Sequence, residues 1–171
     1  MATYYPQALK SFISQGIELE LLAPNLADYD LDMLGEALLP ERDLQFSYLG
    51  LQTLYDRYFI HSDETRFELP QLFFMRVAMG LATREDDKNA RAIEFYQLLS
   101  SFDYMSSTPT LFNSGTLRPQ LSSCYLTTVP DDLHGIYGAI QDNAMLSKFA
   151  GGLGNDWTPV RALGALSLIH I

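Results

Sequence analysis

Residues 121–154 read LSSCYLTTVPDDLHGIYGAIQDNAMLSKFAGGLG and combine a β-forming run with a helical one. Residues 121–129 are rich in β-forming side chains, which predicts a short strand. The Pro-Asp-Asp turn at 130–132 predicts a helix over 133–150, which the glycines within 151–154 are expected to end. Because one strand and one helix cannot close a sheet or a barrel, this stretch predicts the start of an α/β unit.

The part of the chain before residue 106 predicts a helical domain. Apolar side chains recur there at the three-to-four-residue spacing of helices, in residues 8–13, 31–38, 48–58, 74–81 and 93–99. Gly16 is predicted to stop the first helix, and Pro70 to lie in the first turn of the fourth. Thr83 with Asp86 resembles a capping box before the fifth helix.

Residues 106–115, SSTPTLFNSG, contain hydroxyl, proline and glycine residues that break helices, and they predict a loop. The change in composition predicts a domain boundary between a helical domain at 1–105 and the start of a second domain at 106–164. The chain as a whole is expected to be mostly α-helical, with one or a few short strands.

The overall composition is that of a globular protein. Of 171 residues, 47% are hydrophobic and 19% are charged, which excludes a disordered chain. The formal net charge of −10 disfavours a nucleic-acid surface, since phosphate binding needs clustered Lys and Arg. No apolar run approaches the roughly 20 residues of a membrane span. With a single cysteine and no signal peptide, we expect a cytoplasmic protein without nucleic-acid or membrane partners.

Cys124, in the run SSCYL at residues 122–126, is the first candidate for chemistry. The residues alone leave two interpretations open, a small apolar side chain in a buried strand or a redox thiol beside hydroxyl ligands. Residues 108–115 are similarly either a connecting loop or a cradle in which hydroxyls and backbone N–H groups bind phosphate.

The remaining polar residues have simpler structural interpretations. Asp131 and Asp132 precede a helix, where carboxylates cap free N–H groups. His61, His134 and His170 lie far apart in the sequence, without the spacing of metal ligands, so no metal site is predicted.

Two ordered motifs together resemble a known family. One is FSYLGLQTLYDRY at residues 46–58, and the other runs from Thr108 through Cys124 to GNDWTPVRALG at residues 154–164. In this order they closely resemble the large, substrate-binding subunit of ribonucleotide reductases, over nearly the whole chain. The SSC and WTP runs are more similar to the class I type, which depends on a small subunit, than to the cobalamin-dependent type.

The resemblance implies a fold and a set of catalytic roles. The family's fold is a ten-stranded α/β barrel preceded by helices, in which the strand around Cys124 is an early barrel strand. Cys124 matches one of the two cysteines that reduce the ribose 2′ position of a ribonucleoside diphosphate and end as a disulfide. Thr108 and Ser123 match positions that hold the substrate's phosphates, and Gly152 matches a position near the substrate.

The resemblance also implies an allosteric site for a nucleoside or deoxynucleoside triphosphate. Asp132, Leu133 and His134 fall where the family binds this effector, and Lys148 and Arg161 are the expected basic contacts to its phosphates. The helix that begins near Leu133 matches a dimer-interface element, so a homodimer is expected, with exposed apolar residues of this helix facing the partner.

The resemblance implies no cofactor in this chain itself. The parent enzyme would need a radical from a metal-containing small subunit and electrons from a thioredoxin- or glutaredoxin-type reductant. The family's ATP-sensing cone, radical cysteine, second reducing cysteine and carboxy-terminal thiol relay are not in this sequence. Residues 165–171 depart from the glycine-rich continuation expected after Gly164, and no role is assigned to His170. The chain is therefore expected to be an internal fragment that is inactive alone.

Two other functions stay open beside the enzyme segment. A non-catalytic module that binds a nucleotide effector or dimerises would keep the effector-site helix without the chemistry. A plain helical interaction protein would leave the composition of residues 108–115 unexplained. The enzyme hypothesis predicts that Cys124 lies next to a pocket containing Thr108 and Ser123.

Overall fold

The computed structural model describes residues 4–63, 65–148 and 151–165. The chain divides into two compact units, residues 1–121 and residues 122–171. Most of the regular structure is helical and the strands are short, which confirms the predicted fold class.

The first unit contains α-helices of one to four turns with short connections. They are α1 Tyr5–Glu18, α2 Leu31–Glu36, α3 Tyr48–Arg57, α4 Pro70–Ala82, α5 Lys88–Ser100 and α6 Thr108–Asn113. The connections include two 3₁₀ turns, Pro24–Asp28 and Pro40–Gln45, and an antiparallel hairpin of β1 His61–Ser62 and β2 Thr65–Arg66.

Helix α4 is the centre of the first unit's core. Its run LFFMRVAM at residues 72–79 is buried on every side, as expected of a helix that is apolar on all faces except at Arg76. Pro70 begins the helix, as predicted, because a first-turn residue needs no backbone N–H. Buried side chains of α1, α5 and α6 belong to the same cluster, among them Leu9, Phe12, Ile13, Ala92, Tyr96, Leu99 and Leu111.

Two predicted helix ends are wrong. Gly16 does not stop α1, which continues to Glu18; instead, a Cβ at residue 16 would lie 2.4 Å from the Leu22 side chain, so glycine permits a close approach. The capping box is also absent. Thr83 ends α4, donating its hydroxyl to the Met79 carbonyl at 3.1 Å, and Asp87 caps α5 by accepting the Ala90 N–H at 3.1 Å.

The predicted loop at residues 106–115 is wrong in its centre, because Thr108–Asn113 forms α6. Pro109 lies in the first turn, where its fixed φ suits a helix, and Ser107 has the extended backbone of a residue that precedes one. Residues 106–121 belong to the first compact unit rather than to the second. Their backbone pairs with the segment after α1 through an antiparallel bridge between Leu22 and Thr116.

The second unit is a strand–helix–strand arrangement. Strand β3 Cys124–Thr128 lies within the predicted strand, and helix α7 Leu133–Lys148 lies within the predicted helix, whose residues 149 and 150 are outside the described residues. Strand β4 Gly152–Asp156 then pairs with β3 in parallel. Gly152 and Gly154 therefore belong to a strand, and their predicted role as helix terminators is wrong.

Candidate active site

The parallel pairing of β3 and β4 brings three of the predicted site residues together. Cys124 is opposite Gly152 in the register, and the Gly152 N–H donates to the Ser123 carbonyl at 2.8 Å. A Cβ at residue 152 would lie 3.2 Å from that carbonyl oxygen and 3.5 Å from the Cys124 Sγ. Glycine at this position thus lets the β4 backbone pass beside the sulfur without covering it.

The Cys124 side chain is exposed among the residues that the structure describes, and both interpretations of this residue stay predictions. An exposed thiol is accessible to substrates and to exchange partners, as redox chemistry requires. The sequence contains one cysteine, so any disulfide formed by Cys124 needs a second sulfur from outside this chain.

Thr108 lies in the first unit, at the first position of α6, and is exposed. Its hydroxyl oxygen is 3.4 Å from the hydroxyl of Tyr58, whose ring stacks on that of Phe112 at 4.5 Å. Because Thr108 and Cys124 belong to different units, their predicted common pocket stays a prediction.

Other polar side chains of α6 bind backbone instead of remaining free for a ligand. The Asn113 side-chain amide donates to the Gln120 carbonyl at 2.7 Å, and the Thr110 hydroxyl donates to the Leu121 carbonyl at 3.3 Å. These bonds fix the segment that leads towards β3. The hydroxyl-rich composition of this stretch therefore has a structural role beside any role in binding.

The predicted effector residues Asp132, Leu133 and His134 lie at the amino end of α7, where all three are exposed. Asp132 accepts the Gly135 N–H at 2.8 Å, which is the expected capping role. Arg161 is brought to the same end of the helix, since its guanidinium forms an ion pair with the Asp131 carboxylate at 2.6 Å.

Lys148 lies at the opposite end of α7 from the other predicted effector residues. Lys148 is fifteen positions after Leu133 along the helix, a distance of about 22 Å at about 1.5 Å per residue. The structure therefore does not bring Lys148 together with Asp132, His134 and Arg161. At the carboxyl end of α7, its positive charge opposes the helix dipole.

Asp156, at the end of β4, carries a carboxyl group whose pKa is lowered by hydrogen bonding. Hydrogen bonds from the side chain and N–H of Thr158 lower the pKa of the Asp156 carboxyl. In the helical core, burial raises the pKa of Tyr5, Tyr29 and Tyr96, and the Asp43 carboxylate raises that of Tyr5 further.

The described residues contain neither a cluster of metal ligands nor a membrane-spanning helix. Across residues 4–63, 65–148 and 151–165, no three His, Cys, Asp or Glu side chains are grouped so that they could hold a metal ion. No helix within those ranges is long and apolar enough to cross a membrane.

Sequence reasoning missed two residues next to the candidate site, Arg76 and Tyr58. Arg76 is fully buried and binds the carboxyl end of α6. A lone arginine in the otherwise apolar run LFFMRVAM was the available signal, because a charged side chain is rarely buried without partners. Tyr58 lies in the apolar repeat predicted at residues 48–58, and its sequence position gives no indication of its contact with Thr108.

Two family models match the chain. One, described as the all-alpha domain of ribonucleotide reductase, matches residues 44–119, and one described as the barrel domain of ribonucleotide reductase matches residues 122–168. The gap between the two matches coincides with the division into compact units at residue 121. The second match indicates that the strand–helix–strand unit is part of an α/β barrel.

Curated relatives from bacteria and a yeast match most of the chain. The ribonucleoside-diphosphate reductase subunit alpha of Chlamydia muridarum is 60% identical over 163 residues, which are 95% of this chain and 16% of that protein. The subunit alpha of Helicobacter pylori is 47% identical over 138 residues, 80% of this chain and 18% of that protein. The ribonucleoside-diphosphate reductase large chain of Schizosaccharomyces pombe is 42% identical over 151 residues, which are 84% of this chain and 18% of that protein. The chain thus spans about one sixth of the length of these relatives.

Proposed function

Because the chain belongs to the ribonucleotide reductase large-subunit family, we propose that it forms part of an enzyme that reduces ribonucleoside diphosphates to deoxyribonucleoside diphosphates. The observation that carries this proposal is the exposed Cys124 thiol beside Gly152, in a segment that matches the family's barrel domain. The deoxyribonucleoside diphosphates formed in this reaction are precursors for DNA synthesis.

The reduction balances with two thiols. The C2′–O bond of the ribose breaks, the oxygen leaves as water, and a C2′–H bond forms. Two thiols, one of them that of Cys124, provide the two electrons and two protons and become a disulfide. The second thiol comes from a cysteine outside this chain, since Cys124 is its one cysteine.

The substrate's phosphates are held by Thr108 and Ser123 in this proposal. Both side chains carry a hydroxyl that can donate to a phosphate oxygen, and both residues are exposed. Gly152 leaves room for the ribose beside the sulfur, because any side chain there would crowd the Ser123 carbonyl.

The enzyme needs partners that supply a radical and electrons. A metal-containing small subunit of the class I type provides the radical when bound, and a thioredoxin- or glutaredoxin-type protein reduces the disulfide after each turnover. Since the reducing thiols must be regenerated, we place the reaction in the reducing cytoplasm.

Effector binding is assigned to the amino end of α7. Asp132, Leu133 and His134 would contact a nucleoside triphosphate, and the Arg161 guanidinium beside them would bind its phosphates, whereas Lys148 lies at the opposite end of α7. The ion pair of Arg161 with Asp131 would have to open or reorient when phosphates bind.

Reductase activity of the complete subunit that contains this segment tests the proposal. With its small subunit and a thioredoxin-type reductant, Cys124→Ser should lose deoxyribonucleoside diphosphate formation while the small subunit's radical still forms. Thr127→Ser on the same strand is the matched control and should retain activity. Full activity of Cys124→Ser would contradict the proposal.

A second candidate function, effector binding or dimerisation without chemistry, is favoured by the exposed apolar face of α7. Leu133, Tyr137, Ile140 and Met145 are all exposed, and such patches mark interaction surfaces. Sedimentation of the complete subunit tests it. Dimerisation that responds to a deoxynucleoside triphosphate, in a wild-type subunit that forms no deoxyribonucleoside diphosphate with its small subunit and reductant, would favour this function over the reductase.

A further inference from the structure

A buried arginine holds the carboxyl end of helix α6. The side chains of Arg76 and Glu68 are both fully buried, and the guanidinium Nε donates to a Glu68 carboxylate oxygen at 2.6 Å. Glu68 also accepts the Ile60 N–H at 2.7 Å. This network therefore ties α4 to the segment that follows α3.

The rest of the guanidinium binds backbone carbonyls at the end of α6. It donates to the carbonyl oxygens of Leu111 at 3.3 Å, Phe112 at 3.4 Å and Ser114 at 2.7 Å. Carbonyls in the last turn of a helix lack partners within the helix, and a positive charge is favourable there. Together with two contacts to Glu68, these bonds match the five N–H donors of the side chain.

The same end of α6 packs too closely against α4 to shift. Ser114 is buried, and its hydroxyl donates to the Val77 carbonyl at 2.8 Å. A Cβ at Gly80 would lie 2.1 Å from the Gly115 backbone nitrogen. Gly115 has φ of 76°, a left-handed conformation that glycine adopts at low cost.

Tyr58 contacts α6 at both ends, through Phe112 near the carboxyl end and Thr108 at the amino end. Its ring is stacked on Phe112, with the ring centres 4.5 Å apart and the planes 6° apart. Its hydroxyl lies 3.4 Å from that of Thr108. A contact at this distance can orient the Thr108 hydroxyl without holding it tightly.

We propose that Arg76 and Tyr58 are positioning residues for substrate binding, which together fix α6 and thereby the placement of the Thr108 hydroxyl. The inference rests on the proposed function, in which Thr108 contacts the substrate's phosphates. A buried ion pair often stabilises a fold no more than apolar residues of equal volume do, so stability alone does not account for the pair of Arg76 and Glu68. The five directed hydrogen bonds of the Arg76 guanidinium instead define one position for α6.

The test is a set of mutant cycles in the complete subunit with its small subunit and reductant. Arg76→Lys keeps the charge for Glu68 but cannot reach three carbonyls, and Tyr58→Phe keeps the stack without the hydroxyl. We expect Arg76→Lys to raise KM for the ribonucleoside diphosphate about five- to tenfold and Tyr58→Phe about two- to threefold. The turnover number kcat should change little in both.

The decisive comparison is made in a Thr108→Val background. If both residues act through Thr108, their effects on KM should vanish there, because one contact cannot be lost twice. Tyr96→Phe is the control for stability, since its hydroxyl bonds Gln71 and the Leu39 N–H, not α6, and it should leave KM unchanged.

Two results would overturn the inference. In the first, Arg76→Lys and Tyr58→Phe raise KM by the same factors with and without Thr108→Val, or leave it unchanged. In the second, Thr108→Val itself leaves KM unchanged. In either case the reductase proposal stands if the subunit is active and depends on Cys124, so the two failures are distinguishable. Should Arg76→Lys not fold, Tyr58→Phe alone decides.

Discussion

The helical unit and the strand–helix–strand unit differ in what their apolar side chains contact. In the first unit, apolar residues of α1, α4, α5 and α6 share one buried cluster around α4. In the described part of the second unit, the buried apolar side chains are Val129 and Ala139, whereas Leu126 and Tyr137 are 89% and 64% exposed. The helical unit thus has a core of its own, whereas Leu126 and Tyr137 of the second unit are exposed among the described residues.

This difference assigns different tasks to the two units. The helical unit can fix α6, and with it Thr108, through bonds within itself. The second unit fixes Cys124 against Gly152 through a single parallel strand pair. We therefore expect that the environment of Thr108 depends on local packing and that of Cys124 depends on further barrel strands.

The largest expected contrast is in the cost of removing an apolar side chain. Phe74→Ala deletes a 1% exposed ring that contacts Phe73, and should cost about 3–5 kcal/mol of unfolding free energy. Leu126→Ala should stay within about 0.5 kcal/mol of zero, because its side chain is already exposed. Denaturant unfolding followed by helical circular dichroism measures both. Equal costs would show that the units do not differ as described.

The two arginine ion pairs should also differ in how much unfolding free energy is lost when the arginine is removed. Arg76→Met leaves the buried Glu68 carboxylate unpaired and should destabilise the helical unit by about 3 kcal/mol or more. Arg161→Met removes a partly exposed pair with Asp131 and should cost about 1 kcal/mol or less. Adding Glu68→Gln to Arg76→Met should recover part of the loss. No recovery in thermal unfolding would contradict the assignment of the cost to the stranded charge.

Alkaline pH should act on the helical unit. Burial raises the pKa of Tyr5 and Tyr96 above about 10, the pKa of a tyrosine in the unfolded chain. Each protonated hydroxyl therefore contributes fully to stability below about pH 10, and this contribution is lost as the pH rises above that value. The slope is at most about 1.4 kcal/mol per pH unit for each tyrosine. Tyr96→Phe should flatten the alkaline loss of helical signal, and an unchanged pH profile would contradict the cause given.

The smallest effect is expected at acidic pH in the second unit. Hydrogen bonds from Thr158 lower the pKa of Asp156, so its contribution is present above the unfolded value near pH 4 and is lost as pH falls below it. Amide exchange of the Thr158 N–H should quicken below about pH 4, relative to its intrinsic rate. In Asp156→Asn this extra acceleration should disappear, and its persistence would assign the effect to another group.

Helices with strong apolar periodicity could be predicted from the sequence, and residues with two common uses could not. The repeat at 74–81 and Pro70 correctly predicted α4. Helix α6 was missed because Pro109 and its neighbouring hydroxyls occur in loops as well as in first turns. Strand β4 was missed because GLGND contains few β-forming side chains, and its pairing comes from β3.

The candidate site, too, could be predicted from the sequence only in part. The run around Cys124 could be found by its resemblance to a family, and the structure adds the contact with Gly152, which depends on the unpredicted strand. The roles proposed for Arg76 and Tyr58 rest on contacts with α6, which lie 35 to 54 residues away in the sequence. No local pattern encodes such contacts, because they arise when α6 packs against α4 and against the end of α3.

The most direct test of the central claim follows the Cys124 sulfur through one turnover. The complete subunit, reduced and then freed of external reductant, is mixed with its small subunit and a ribonucleoside diphosphate, and free thiols are alkylated before mass spectrometry. We predict that the Cys124 peptide is found in a disulfide after turnover and is alkylated when substrate is omitted. Formation of deoxyribonucleoside diphosphate while Cys124 remains fully alkylated would contradict the proposed role of this thiol.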